Sequence, residues 1–139
     1  MTDKDTLILP KKSTIDFYQV NKYLCALMNN KGGLLIIGCD KNNIVRGEKM
    51  PREAMDYFQR NIDENLKRFS PSVKGHEYSI KFVPLEFAED KKVATEDDYI
   101  VEISVNVSNY DTLYFTNYDE CWIKNPNGAI EQVPVTQIR

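Results

Sequence analysis

Tyr23-Leu24-Cys25-Ala26-Leu27-Met28-Asn29-Asn30-Lys31-Gly32-Gly33-Leu34-Leu35-Ile36-Ile37-Gly38-Cys39-Asp40 holds a helix end, a stop and a strand in direct succession. With Phe17 and Val20 ahead of it, the apolar series Phe17, Val20, Leu24, Leu27, Met28 steps by 3, 4, 3 and 1, the spacing of one face of an amphipathic helix. Asn29-Asn30-Lys31-Gly32-Gly33 ends that helix, because Asn and Gly tolerate the left-handed backbone of a helix stop. Leu34 to Cys39 is apolar without alternation, which predicts a strand buried on both faces. Cys25, inside the helix, reads as a small core residue rather than a reactive thiol.

Working outward, residues 1–12 form a poorly defined N-terminal segment in which Thr6 to Leu9 can make a short strand ended by Pro10. Ser13 is placed to cap the helix, with Asp16 at its third position as a weak capping box. After the strand, Asp40-Lys41-Asn42-Asn43 is turn chemistry, and Ile44-Val45 can pair back as a hairpin before Gly47. Pro51 opens a second helix whose stripe is Met55, Phe58, Ile62, Leu66 and Phe69, stopped by Ser70-Pro71. The remainder reads as β. Tyr78, Ile80 and Phe82 alternate, as do Tyr99, Val101, Ile103, Val105 and Val107 against polar partners. Three shorter strands are predicted at Leu113–Phe115, Cys121–Ile123 and Ile130–Val135, the last two joined by the turn Asn125-Pro126-Asn127-Gly128. Glu86 to Asp98 becomes a long, mobile hairpin loop that folding does not need. The sum is an α+β fold, a mixed, mainly antiparallel sheet with two principal helices, in one domain spanning residues 1–139.

Composition narrows the function. The 139 residues carry 18 Lys+Arg and 21 Asp+Glu, a net charge of −3. Glu86 to Asp98 alone holds six acids against two lysines, so the rest of the chain is close to neutral and less basic than a protein living on phosphate contacts. The longest apolar run, Leu34 to Ile37, is far short of the ~20 residues of a membrane span. The polar start lacks the layout of a secretory signal. Three scattered cysteines without a Cys-x-x-Cys pair argue against a disulfide scaffold or zinc site, and the expectation is an intracellular, most simply cytoplasmic, chain. Lys31-Gly32-Gly33 precedes a strand, whereas phosphate-cradling glycine loops follow one. Asp40 ends a strand where a side chain can enter a pocket, and it equally suits a turn-forming role in Asp-Lys-Asn-Asn. On composition, the basic residues of the second helix suit a solvated polar face better than a nucleic-acid face.

The residues from Tyr23 to Asp40 resemble the Schlafen AlbA-like domain. Its signature is a helix reading roughly Ile-Cys-Ala-Phe-Ala-Asn, a small turn with Gly-Gly, and an apolar strand ending Gly-Val-Asp. Asn43-Ile44-Val45-Arg46-Gly47 is similar to the family's following hairpin, and Asp119-Glu120-Cys121-Trp122-Ile123-Lys124 to its late one, so the likeness covers roughly residues 15 to 138. The resemblance implies RNA work. Catalytic members hold a divalent metal with two glutamates from an upstream Glu-x4-Glu-Phe-Lys-like strand and one aspartate at the end of the Gly-Val-Asp strand. Asp40 matches that aspartate, while no glutamate precedes it, only Asp3, Asp5 and Asp16.

The resemblance therefore implies a degenerate lobe within an RNA-processing endoribonuclease assembly, acting on structured RNA or small-RNA (piRNA) precursors and not catalytic alone. The partner expected is another Schlafen-like chain. Mg²⁺ or Mn²⁺ enters only if a composite site forms, and its ligands are not assigned. Lys31, Lys41, Arg46, Arg52, Arg60 and Lys67 are the expected RNA contacts. Tyr110, Tyr114 and Tyr118 are the expected partner surface, with Phe115 and Trp122 in the core. The competing readings are a self-sufficient metal-dependent ribonuclease using Asp40 and the N-terminal aspartates, and a protein-interaction module without RNA binding.

Overall fold

The strand that organises the sheet lies late in the chain. In the computed structural model, which describes residues 6–85, 98–107 and 112–134, β5 (Asp98–Val105) runs antiparallel to β2 (Gly33–Cys39) on one side and to β4 (Tyr78–Pro84) on the other. Beyond the end of β2 it also takes the short β3 (Glu48–Lys49) through Glu48 opposite Tyr99. The strand β1 (Thr6–Pro10) adds to the far side of β2, and it is parallel. The sheet is thus mixed and mostly antiparallel, with two helices, as the α+β reading requires. Thr6–Pro10 is an integral strand rather than part of a loose N-terminal segment: Leu7 and Leu9 are buried opposite Leu35 and Ile37. Of the segment Glu86 to Asp98, expected to be a loop, residues 86–97 lie outside the described residues, and Asp98 opens β5 instead.

Because side chains alternate across a strand, Leu7, Leu9, Leu35, Ile37, Val101 and Ile103 fall on one face, and all are buried. Both helices sit on that face. In α2 (Arg52–Lys67) the buried residues are Phe58, Ile62 and Leu66, and the Phe58 ring meets Phe82 of β4 at 6.0 Å. On the opposite face Leu34 and Ile36 stay only half-buried. This corrects the two-sided burial predicted for β2: their lateral neighbours on β5 are Ser104 and Glu102, which belong at a water-facing surface.

Helix α1 (Phe17–Asn29) starts later than predicted. Asp16, not Ser13, is the cap, its Oδ1 accepting the Tyr18 N–H at 3.0 Å. That choice puts Ile15 just before the cap and Val20 at the fourth helical position, the two places of a hydrophobic staple, with Val20 in the core and Ile15 partly buried against it. Val20, Leu24 and Leu27 pack in the core, while Tyr18, Lys22, Cys25 and Asn29 form a second stripe on the other side. That second stripe meets the hairpin β6 (Trp122–Lys124) and β7 (Ile130–Gln132) and the segment leading to it. Asn29 is its anchor: Oδ1 accepts the Tyr114 N–H at 2.7 Å, and Nδ2 donates to the carbonyls of Tyr114 at 3.1 Å and Trp122 at 2.9 Å. Cys25 Sγ donates to the Tyr114 carbonyl at 3.2 Å, and burial pushes its thiol pKa up to about 12. Cys25 is therefore the small core residue expected.

The same clamp corrects two sequence expectations. Tyr114 is 2% exposed and belongs to the core rather than to a partner surface. Its segment is not a full strand either, since α1 side chains take its backbone groups and only a single bridge, Phe115 to Ser70, remains. Trp122 is buried as expected, and the 125–128 turn closes β6 and β7 with Gly128 donating to the Asn125 carbonyl at 2.9 Å.

Candidate functional site

Asp40 follows the last residue of β2, at the root of a tight loop. Its Oδ1 accepts the N–H groups of Asn42 at 2.8 Å and Ile44 at 3.0 Å, and its Oδ2 accepts Arg46 Nε at 2.9 Å. The expected pairing of Ile44-Val45 back onto β2 amounts to one bridge, Val45 to Cys39, with Arg46 and Gly47 N–H groups both on the Gly38 carbonyl. Both Asp40 oxygens are thus used within seven residues of chain. The Ile44 N–H is the main cause holding the Asp40 carboxyl below its ordinary 3.8, with Arg46 and Asn42 adding to it. A depressed folded pKa stabilises the loop at pH above the unfolded value, and that contribution disappears as pH falls through the lower folded one. In an NMR titration Asp40 should titrate below 3.8, and Arg46→Ala should raise its pKa only part of the way, since the Ile44 bond survives.

A second carboxylate was missed by sequence reasoning. Glu48, in β3, is buried, and its Oε1 accepts Lys11 Nζ at 3.2 Å. Lys11 is positioned by its own N–H on the Cys39 carbonyl at 2.8 Å, so the chain after β1 is tied beside the end of β2. No pattern marks Glu48, because Gly-Glu-Lys reads as turn. Asp16, which lines a cavity with Glu48, is spent on the α1 cap. Among the described residues no group of three or more His, Cys, Asp or Glu side chains is placed to hold a metal ion.

The expected RNA contacts do not converge on one patch. Lys31 precedes β2 and Lys41 follows it, so a seven-residue strand of about 23 Å separates them. Arg46 shares the Asp40 loop with Lys41. Arg52 and Lys67 bound the sixteen residues of α2, about 22 Å apart along its axis, with Arg60 between them. Lys67 Nζ lies 3.6 Å from Glu64. Of the expected partner tyrosines, Tyr118 is 60% exposed, its ring edge-on to Tyr18 at 5.6 Å, and Tyr110 lies outside the described residues. Glu120 Oε1 accepts the Tyr18 hydroxyl at 2.8 Å and Trp122 Nε1 at 3.2 Å, and Lys22 Nζ lies 4.1 Å from the Trp122 ring centre.

The family model described as Schlafen, AlbA_2 matches residues 4–131, from just before β1 to β7. The chain belongs to the Schlafen AlbA_2 family. The features that define this Schlafen lobe in three dimensions are those of the quoted stretch: Asn29 clamps α1 to the late hairpin, Gly32 turns the chain, and Asp40 closes the loop after β2. Among the described residues no helix of this Schlafen chain is long and apolar enough to cross a membrane.

Proposed function

We propose that this chain is a Schlafen-like subunit of an RNA-processing endoribonuclease assembly, cytoplasmic and without nuclease activity of its own, that works beside another Schlafen-like chain. The observation carrying this reading is the state of Asp40. The carboxylate matching the family's metal-binding aspartate accepts two loop N–H groups and its own Arg46, one or more bonds on each oxygen. The upstream pair points the same way. If Asp16-Phe17 takes the place of the second Glu-Phe of Glu-x4-Glu-Phe-Lys, the first glutamate falls at Lys11, a cation ion-paired to Glu48. Each of the three positions is thus committed to holding the fold, and a Mg²⁺ or Mn²⁺ site would need carboxylates from a partner. The exposed Tyr118 on its Tyr18 support suits that partner's contact, and the same surface favours a protein-interaction module as the second reading.

The test is structured RNA incubated with the purified chain and Mn²⁺. No cleavage is expected, while binding to RNA or to a second Schlafen-like chain should be measurable and the partner complex should weaken with Tyr118→Glu. Metal-dependent cleavage by the isolated chain that Asp40→Ala abolishes would establish the self-sufficient nuclease instead. Partner binding with no RNA binding in either state would establish the interaction module.

A further inference from the structure

The two edges of the main sheet are finished differently. At one, β1 is short, its register with β2 shifts between Leu9 and Pro10, and Pro10 closes it. Irregularity and proline are devices that keep an edge strand from pairing with other chains. At the other lies β4, seven residues in unbroken register with β5. Among the described residues no strand pairs with its far side. Its one charge, Lys81, sits opposite Glu102 of its own sheet. Tyr78, Ile80 and Phe82 pack against the core yet stay only partly buried. A groove of about 350 Å³ opens between Gln59, Asp63 and Lys67 of α2 and the start of β4 at Tyr78, Ser79 and Ile80.

Two bonds at the ends of the β4–β5 ladder fix which way the β4 backbone points. The Leu85 N–H donates to the Asp98 carbonyl at 3.0 Å, and the Asn106 N–H to the Glu77 carbonyl at 2.8 Å. Bonded and non-bonded pairs alternate along an antiparallel ladder. Ser79, Lys81 and Val83 therefore bond to β5, and the N–H and C=O groups of Tyr78, Ile80 and Phe82 point to the open side. Pro84, the next outward position, has no N–H and ends the row.

An antiparallel copy of the same strand fits this row best in one register. With a two-fold axis through Ile80, Ile80 meets Ile80 of the second copy and Tyr78 meets its Phe82, each pair exchanging both bonds. The Tyr–Phe pairs fall on the face that carries the helices, and Lys81 lies opposite Ser79. An axis through Lys81 sets two lysines directly opposite each other and turns Tyr78 to Pro84, which cannot donate. Axes through Ser79 or Phe82 shorten the row. We propose that β4 pairs antiparallel with β4 of a second copy of this chain about an axis at Ile80, joining the two sheets into one. The pairing does not use Tyr118, so it goes beyond the partner contact of the reading above and does not rest on it.

The test is light scattering or sedimentation equilibrium of the full chain over a micromolar concentration range. The mass should rise to twice the 16.1 kDa of one chain. Ser79→Lys, at an exposed position, opposes two lysines twice in each dimer and should weaken it about tenfold or more. Ser79→Glu, facing Lys81, should tighten it. Ile80→Pro removes an outward N–H while sparing the β4–β5 bonds and should give a monomer. Because Ile80 also packs on the core, thermal unfolding of that variant is measured alongside, and the Ser79 pair gives an arm that leaves the core alone. Tyr118→Glu should leave this dimer intact. A wild-type chain that stays monomeric, or a dimer indifferent to Ser79→Lys, overturns the pairing. A dimer lost on Tyr118→Glu but not on Ser79→Lys overturns it as well and moves the self-contact to the tyrosine surface. A monomer whose binding to a different Schlafen-like chain is lost on Ser79→Lys gives the edge to that chain instead of a second copy. The subunit reading is tested separately, since none of these outcomes bears on Asp40.

Discussion

Gly32→Ala is expected to destabilise the protein by about 3 kcal/mol or more, lowering Tm by roughly 10 °C. Gly32 has φ +110°, a backbone that L-residues rarely adopt, and a Cβ built there would lie 2.6 Å from the Val105 carbonyl oxygen. That oxygen belongs to the end of β5, so relief requires moving the central strand or the α1–β2 turn, not a side chain. Gly128→Ala is the comparison. It has a similarly left-handed φ of +93° with nothing within 4 Å of the added carbon, and its cost should be about 1 kcal/mol. Urea unfolding of the two variants separates conformational strain from close approach. Equal losses would mean that the contact with Val105 is not what fixes this glycine.

Asn29→Ala should cost about 2–4 kcal/mol, because it removes three hydrogen bonds at once and leaves the Tyr114 N–H and the carbonyls of Tyr114 and Trp122 without those partners. Asn29→Asp preserves the acceptor for Tyr114 N–H but sets a carboxylate oxygen against two carbonyls, and it should be at least as damaging. Trp122 is the only tryptophan and lies at the clamp, so its fluorescence reports the site directly. Both variants should show altered Trp122 emission in the folded state as well as a lower urea midpoint. A variant with native emission and native stability would show that apolar packing alone holds the hairpin on α1.

These two residues show where the sequence was legible and where it was not. The Asn-Asn-Lys-Gly-Gly stop announced itself because the conformation it needs is local, and the alternation of β5 did so because period two is set by the pleat. Tyr114 was misplaced because its burial is decided by Asn29, eighty-five residues upstream, and no local pattern records such a pairing. Residues 113–115 read as a strand on β propensity, yet α1 side chains claim its backbone. The α1 cap went to Asp16 rather than Ser13, which places Ile15, partly buried against the core, just ahead of the cap. In the candidate site, Asp40 was legible to within its two alternatives, and the geometry supplies the turn-forming one. Glu48 was invisible, since its burial follows from pairing with Tyr99 of β5, far along the chain.

The late position of β5 also bears on how the protein is made. Leu35 pairs with Ile103 and Ile37 with Val101, so at a synthesis rate of about 5–20 residues per second the apolar β2 waits roughly 3–14 s for its central partner to be translated. During that interval only β1, of the strands that flank β2, exists to cover it. A nascent chain in this state presents the unpaired edge of Leu34 to Ile37 to its surroundings. Its yield in cells should therefore depend on chaperone capacity more steeply than the stability of the finished fold would suggest.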